Sequence, residues 1–375
     1  MKLKDICKFV NEKVDTSSFH LEDYVSTENL LPNKGGVTVA SKIPQGKATL
    51  FKKGDILISN IRPYFKKIYL AKKHGCCSND VLCIRPNSNI PSSYLYYLLS
   101  QDSFFDYVMT GAKGTKMPRG DKGHIMNWAV YQSTLSQQQN IAEILTPLDD
   151  KIAVNSRICA NLEAQAEALF KSWFVDFTPF KDQPFVDSEL GPIPQGWKVG
   201  TLFDVANLHD RYRRPLSSNQ RSLMAKKYPY YGATSLMDFV EDYIFDGEYV
   251  LMGEDGSVVT EKGYPFIQYV WGKIWVNNHA HVLSGKDGFP TELLIPFLKT
   301  YNIKGLVTGA VQAKLNQANM AQIQIPIPPK KNINNLSVII KSIYKKYRLL
   351  TEENQRLAAL RDTLLPKLMS GEIKL

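Results

Sequence analysis

Four stretches of the chain carry residue types suited to reading the edges and backbone of a nucleic acid. Ser59 to Lys67 (S-N-I-R-P-Y-F-K-K) gathers Asn60, Arg62, Tyr64 and Lys66 behind an apolar run. Lys113 to Lys122 (K-G-T-K-M-P-R-G-D-K) places Lys113, Lys116, Arg119 and Lys122 in a flexible, basic loop. In the second half, Arg211-Tyr212-Arg213-Arg214 and Gln312-Ala313-Lys314-Leu315-Asn316-Gln317 are taken as their counterparts, with Arg211, Arg213, Arg214, Gln312 and Lys314 as candidate contacts. Tyr228-Pro229-Tyr230-Tyr231-Gly232 would stiffen the same surface. Arginine and lysine suit guanine O6/N7 or a phosphate, and side-chain amides suit adenine N6/N7. Any one of these residues reads equally well as a solvated loop charge. Their recurrence in two groups points to double-stranded DNA.

Other chemistries find little purchase. The sequence has no G-x-x-x-x-G-K-[ST] phosphate loop and no G-x-G-x-x-G turn, so no nucleotide site is expected. An N-P-P-Y or D-P-P-Y loop of the adenine-methyltransferase type is absent, as is a P-D...E-x-K nuclease core. Pro147-Leu148-Asp149-Asp150-Lys151 imitates the latter only inside a helical heptad. His279 and His281 share one face of a strand, but structural zinc takes four ligands and catalytic zinc three, so no metal is expected. The five cysteines are odd in number and lack a C-x-x-C pair, which argues against disulfides and zinc alike. With no apolar run of about 18 residues and no signal segment at Met1, neither a membrane span nor export is expected, and a cytoplasmic location fits.

The elements that must position these loops show themselves as a repeat. Leu3-Lys4-Asp5-Ile6 matches Leu202-Phe203-Asp204-Val205, Gly54-Asp55-Ile56-Leu57-Ile58 matches Gly247-Glu248-Tyr249-Val250-Leu251, and Thr110-Gly111-Ala112 matches Thr308-Gly309-Ala310. Each triplet leads into an expected strand, Ile125 to Val130 in the first copy and Ile323 to Ile327 in the second. Further short strands are expected at Gly54 to Ser59, Val81 to Arg85, Tyr249 to Met252, Ile274 to Val276 and His281 to Leu283. Helices are expected at Ser92 to Leu99 and Glu292 to Lys299, making each copy a mixed α/β domain.

Each copy ends in a helical seam with a 4-3 alternation. The first runs through Ile141, Leu145, Leu148, Ile152, Asn155, Cys159, Leu162, Ala166 and Leu169; the second through Leu336, Ile340, Ile343, Tyr347, Leu350, Asn354, Leu357, Arg361 and Leu364. Ser136 with Gln139 suggests a capping box for the first, Pro147 a kink, and Pro366 a stop for the second. Residues 177 to 197, rich in proline and glycine, read as an irregular linker. The domains expected are therefore 1–133 and 200–330, with helical spacers at 134–177 and 331–375 and a linker at 178–199. Net charge supports pairing of the helices. Residues 134–200 hold 5 basic and 9 acidic side chains against 9 and 4 in residues 331–375, while residues 1–133 hold 19 and 11. Antiparallel pairing of two helices about 50 Å long would put two similar α/β domains at the ends of a stiff spacer with pseudo-twofold symmetry.

Leu148-Asp149-Asp150-Lys151-Ile152, Ala168 to Phe177 (A-L-F-K-S-W-F-V-D-F), Gly191 to Trp197 (G-P-I-P-Q-G-W) and Leu364 to Ile373 (L-L-P-K-L-M-S-G-E-I) make the chain resemble the specificity subunits of Type I restriction-modification systems. The resemblance implies two target-recognition domains, each reading half of a split sequence, and helices that set the gap and bind two modification subunits. Those subunits would carry S-adenosylmethionine, and a separate ATP-driven restriction subunit would cut, leaving this chain non-catalytic and without a cofactor of its own. It also implies a docking surface, mapped here onto Phe170, Trp173, Phe174, Phe177, Leu365 and Leu368. The first copy lacks the G-P-I-P-Q-G-W lead-in. The competing readings are a self-sufficient DNA-modifying enzyme with a diverged site and a coiled-coil scaffold with no nucleic-acid role.

Overall fold

The computed structural model describes residues 1–309 and 312–375, so Ala310 of the repeated Thr-Gly-Ala triplet lies outside the described residues. The chain forms two compact units: unit 1 comprises Met1–Val154 with Glu353–Leu375, and unit 2 comprises Asn155–Glu352. Among the described residues no helix is long and apolar enough to cross a membrane.

Unit 1 is built on an antiparallel sheet of β1 (Cys7–Phe9), β2 (Ile56–Ser59), β3 (Ile68–Leu70) and β4 (Val81–Pro86), in the order β1-β4-β2-β3. The unbroken apolar run of β2 follows from burial on both faces. Ile56 and Ile58 pack with the helix α1 (Ser92–Leu99), while Leu57 packs with Val81 and Cys83 on the other side. A second sheet, Lys13–Asp15, Lys47–Phe51, Gly75–Cys77 and Tyr24–Val25, fills the stretch between β1 and β4. The helices α2 (Asp102–Thr110), α3 (Lys122–Met126) and the first half of α4 (Leu135–Phe174) complete the unit. All five cysteines are buried and free; burial pushes the thiols of Cys7 and Cys77 up to about 12, the behaviour of core residues rather than nucleophiles.

Unit 2 repeats that sheet with β5 (Ala206–Leu208), β6 (Phe245–Gly253), β7 (Ile267–Val276) and β8 (Ala280–Gly285) in the order β5-β8-β6-β7, the same arrangement of equivalents. It extends past β7 by Tyr228–Tyr231, which runs parallel to β7, and an edge strand Leu236–Val240. The helix α5 (Thr291–Thr300) matches α1, α6 (Gln317–Met320) matches α3, and α7 (Lys330–Met369) begins in this unit. Ile56 pairs with Ile84 and Val250 with Leu283, whereas Cys7 pairs with Pro86 and Ala206 with Gly285. Ile56 therefore corresponds to Val250, one residue beyond the match expected from sequence. Because side chains alternate faces along a strand, that single step decides which of them reach the core.

The seam positions of α4 and α7 are buried or half-buried throughout. In unit 1, Arg361 pairs with Asp149 at 2.6 Å and Lys151 with Glu353 at 3.8 Å; in unit 2, the Cys159 thiol faces the Tyr347 carbonyl at 3.8 Å. Residue numbers fall along α7 as they rise along α4, so the pairing is antiparallel. The helices also enter their units' cores. Ile141, Leu145, Leu365, Leu368 and Met369 belong to that of unit 1, and Ala166, Phe170, Phe174, Leu336, Ile340 and Tyr344 to that of unit 2.

Four details depart from expectation. The cap of α4 is Thr134 with Gln137, whose side chains exchange hydrogen bonds with each other's backbone N–H at 3.3 and 2.9 Å, in place of Ser136 with Gln139. The helix α7 continues through Pro366 to Met369, because the burial of Leu365, Leu368 and Met369 outweighs the hydrogen bond a proline removes. No strand spans Ile125 to Val130: the Asp121 carboxylate caps His124 N–H at 2.9 Å and draws Ile125 into α3, leaving one bridge between Lys2 and Ala129. The linker is not free chain, since Phe180, Ile193 and Trp197 are buried in the core of unit 2 and Phe185–Val186 pairs with Ile193–Pro194.

Candidate nucleic-acid interface

Unit 1 joins its two candidate loops by backbone hydrogen bonds. Arg62 N–H donates to the Pro118 carbonyl (2.8 Å), Gly120 N–H to that of Asn60 (3.3 Å), and Lys113 and Arg119 exchange bonds of 2.9 Å, closing the basic loop. A bond from Asn60 N–H to Asp80 (2.8 Å) ties the end of β2 to the start of β4. Lys113, Lys116, Arg119 and Lys122 are exposed, and so is Tyr64. Lys113 pairs with Asp121 (3.0 Å) and Arg119 with Asp80 (3.2 Å); these are exposed pairs of small energetic worth that a phosphate could displace. Lys122 lies on α3 with its ammonium 5.5 Å from the Phe9 ring. Lys66 is turned toward Asp102 (3.0 Å), which Lys34 also meets (3.3 Å). Burial pushes the Asp102 carboxyl up, but these two ammonium groups outweigh it and hold the group below the usual carboxylate range. Among the described residues, Asn60 Oδ1 and Arg62 Nε are buried without a hydrogen-bond partner, as expected where a ligand completes the site.

Unit 2 reproduces this junction bond for bond. Glu254 N–H donates to His279 (2.9 Å), Gly256 N–H to Ala313 (3.0 Å), Leu315 N–H to Glu254 (2.8 Å), and Thr308 and Lys314 exchange bonds of 2.9 and 2.7 Å. The counterpart of Asn60-Ile61-Arg62 is therefore Glu254-Asp255-Gly256, not Arg211 to Arg214. That stretch follows β5 and answers to the residues after β1. Gln312 and Lys314 lie in the counterpart of the basic loop, but Thr308 answers to Lys113 and not to Thr110, three residues off the register read from sequence; both are exposed, as are Arg211 and Arg214, with the Arg211 guanidinium 4.6 Å from the Tyr212 ring.

Arg213 is placed differently. Its side chain is only 11% exposed, donating to Glu254 Oε2 (2.6 Å) and to the carbonyls of Ala280 (2.8 Å) and Asp210 (3.1 Å), with Asp210 Oδ2 at 3.3 Å. The fully buried His281 adds Nδ1 to Asp210 (2.6 Å) and Nε2 to the Leu315 carbonyl (2.7 Å). Asp210, Glu254 and His281 converge closely enough to suit a metal ion, but the Arg213 guanidinium supplies the positive charge between the two carboxylates. Burial pushes the Asp210 carboxyl up; the bond and charge of His281, the Val282 N–H and Arg213 outweigh this and draw it below the usual range. Arg213 is thus committed inside the protein; sequence reasoning missed Asp210 and Glu254 and weighed His281 only as a metal ligand. The Gly54–Gly247 match carries Asn60 only to Gly253, so the one-residue shift in register hid Glu254.

The residues expected to dock partners are core. Phe170, Phe174, Leu365 and Leu368 are between 2 and 4% exposed, and Trp173 and Phe177 are half-buried, with Phe174 and Phe177 edge-on to Trp197 at 5.6 and 5.4 Å. Phe170, Trp173 and Phe174 share one face of α4 and Leu365 and Leu368 one face of α7, each seated in its own unit, while Phe177 follows the end of α4.

Two α/β units on one strand order, each with the same pair of joined loops and sharing two antiparallel helices, define a tandemly duplicated recognition protein. The family model for the Type I restriction modification DNA specificity domain matches residues 1–164 and again 194–359, and the chain belongs to that family. Among similar proteins, S.HindORF215P of Haemophilus influenzae is 39% identical over 148 residues, 40% of this chain and 37% of that protein, so this match spans little more than a third of the relative. The MjaIX specificity subunit of a type I restriction enzyme of Methanocaldococcus jannaschii is 24% identical over 94% of this chain and 85% of its own length. The crystal structure of the S subunit of a type I restriction-modification system from M. genitalium matches with a TM-score of 0.61 at 16% identity, over 98% of this chain and 95% of that one, a likeness of fold.

Proposed function

We propose that this chain is the DNA-specificity subunit of a type I restriction-modification complex, each unit reading one half of a split duplex target. The observation that carries the reading is the repeated junction of loops: the same backbone bonds present Lys113, Lys116 and Arg119 in one unit and Gln312 and Lys314 in the other. In this reading Asn60, Arg62 and Tyr64 join the first set, and Arg211 and Arg214 join the second. The helices α4 and α7 set the gap between half-sites and dock two modification subunits, which hold S-adenosylmethionine and methylate adenine. An ATP-driven restriction subunit completes the complex, and this chain supplies address without chemistry in a bacterial or archaeal cytoplasm.

Mapping methylated adenines genome-wide with and without the gene tests the proposal. Loss of one split motif is the expected result. An unchanged methylome refutes it, and methyl transfer by the chain alone would establish a self-sufficient enzyme instead. A heptad added to both α4 and α7 lengthens each by about 10 Å, roughly 3 base pairs of B-DNA. It is expected to widen the permitted gap and leave both half-site sequences unchanged.

A further inference from the structure

We propose that Tyr64 and Phe65 form an aromatic wedge that enters a base step of the half-site bound by unit 1. The inference rests on reading unit 1 as a DNA-binding surface and goes beyond it in assigning a mode of distortion. The turn Pro63–Phe65 is flanked by two non-glycine residues in the left-handed region, Arg62 with φ 50° and Lys66 with φ 51°. Such backbone persists only where its surroundings over-determine it, and it concentrates at functional sites.

Here the surroundings are explicit. Arg62 N–H is held by Pro118, the Phe65 carbonyl accepts from Asn33 N–H (2.8 Å), the Lys66 carbonyl accepts from Lys34 N–H (2.9 Å), and both ammonium groups reach Asp102. The clamped turn presents two rings to solvent: Tyr64 is 47% and Phe65 37% exposed, with centroids 4.7 Å apart and planes at 54°. Large rings on a stiff turn lose little freedom on binding, so their stacking energy is available in full.

Charge selects the occupant. The Lys67 ammonium, 5.9 Å from the Phe65 ring, is held by the Thr27 carbonyl at 2.6 Å, but Arg62 continues by backbone bonds into the loop whose Lys113, Lys116 and Arg119 are exposed. An apolar pair beside an exposed basic loop fits a duplex, where phosphates meet the loop and a base step receives the rings. The corresponding turn of unit 2, Asp255 to Thr260 (D-G-S-V-V-T), carries no ring, and its Val258 is fully buried. The distortion is therefore one-sided, which duplication alone does not foretell.

The test uses the full chain assembled with its modification subunits on the split target mapped by methylation, with 2-aminopurine placed in turn at each position. The half-site of unit 1 is the one whose reading Arg119→Ala impairs. Fluorescence at a step within that half-site should rise severalfold on binding and return to the duplex level in Tyr64→Ala/Phe65→Ala, with affinity falling roughly 10-fold. Tyr64→Phe should retain the signal, and capture of modification subunits by the double variant should be unchanged. A signal at a base extruded for methylation survives the double variant and is thereby told apart. Unaltered fluorescence and affinity in the double variant overturn the wedge and leave DNA reading intact. Lost capture of modification subunits with DNA fluorescence unchanged makes the patch a protein-docking site, which also overturns it. Absence of sequence-specific binding by the unaltered complex removes both proposals.

Discussion

Arg213 separates two roles that look alike in the sequence. Its guanidinium sits between Asp210 and Glu254, whose side chains are 6 and 16% exposed. Arg213→Ala leaves both carboxylates in a poorly hydrated site. Removing one partner of a buried ion pair costs about 3–5 kcal/mol; His281 beside Asp210 and Lys314 at 3.7 Å from Glu254 remain and soften the loss. A destabilisation of about 2–4 kcal/mol is therefore expected, equivalent to roughly 6–12 °C in the unfolding temperature of a unit of this size. The assay is hydrogen exchange on the full chain, following amides of β8 such as Val282, with β2 and β4 of unit 1 as internal reference. Arg62→Ala should behave inversely, leaving exchange unchanged and weakening DNA binding at one target position by about 1–3 kcal/mol. Native exchange in Arg213→Ala together with relaxed specificity at one base pair would refute the reasoning, because it would mean that the guanidinium faces DNA.

Asp210 carries a related pH dependence. Its folded value lies below the unfolded one of about 3.9, so its contribution to stability is complete above pH 4 and is lost as pH falls through the folded value. Acid titration of unit 2 should steepen below about pH 4 and flatten in Asp210→Asn; an identical slope in the variant would count against the network. In unit 1, Asp149 accepts from Arg361 at 2.6 Å and from the Tyr97 hydroxyl at 2.9 Å. A double-mutant cycle of Asp149→Ala with Arg361→Ala should show coupling of about 1–2 kcal/mol and faster exchange at the end of α7; additivity would dismiss the pair. Leu365→Ala and Phe174→Ala should each cost about 2–5 kcal/mol of stability as core truncations. Full stability with lost capture of modification subunits would restore the docking role first read from the sequence.

Periodicity made the helices legible and two copies checked each other for the duplication, but the seam did not reveal that Ile141, Leu145, Ala166, Leu336 and Ile340 also belong to their units' cores. Local competition among nearly equal signals was not legible. Thr134/Gln137 and Ser136/Gln139 are both capping boxes on paper, and only the packed helix start chooses between them. Pro366 is a sound stop signal that Leu365, Leu368 and Met369 override by burial. The aromatic run from Phe170 to Phe177 has the composition of a docking surface and of a core alike. Arg213 was misplaced for the same reason: residue type does not tell a neutralising cation from a reading one until the acids it faces are located.

Those acids explain how one scaffold came to serve two different surfaces. At the junction where unit 1 has Asn60 and Arg62, unit 2 has Glu254 and Gly256, an exchange that puts a carboxylate where an amide stood and removes a cation. A poorly hydrated carboxylate needs compensation, and unit 2 supplies it from two separate elements, Arg213 after β5 and Lys314 in the loop before α6. The backbone bonds of the junction are kept while its electrostatics are rebuilt from behind. Arg213 is thereby withdrawn from the surface while Lys314 stays exposed beside Glu254, and unit 1 keeps Arg119 and its two rings exposed. The conserved element is the backbone clasp that fixes where two loops meet, and each copy is free to vary what the loops display so long as charge balance is restored beneath.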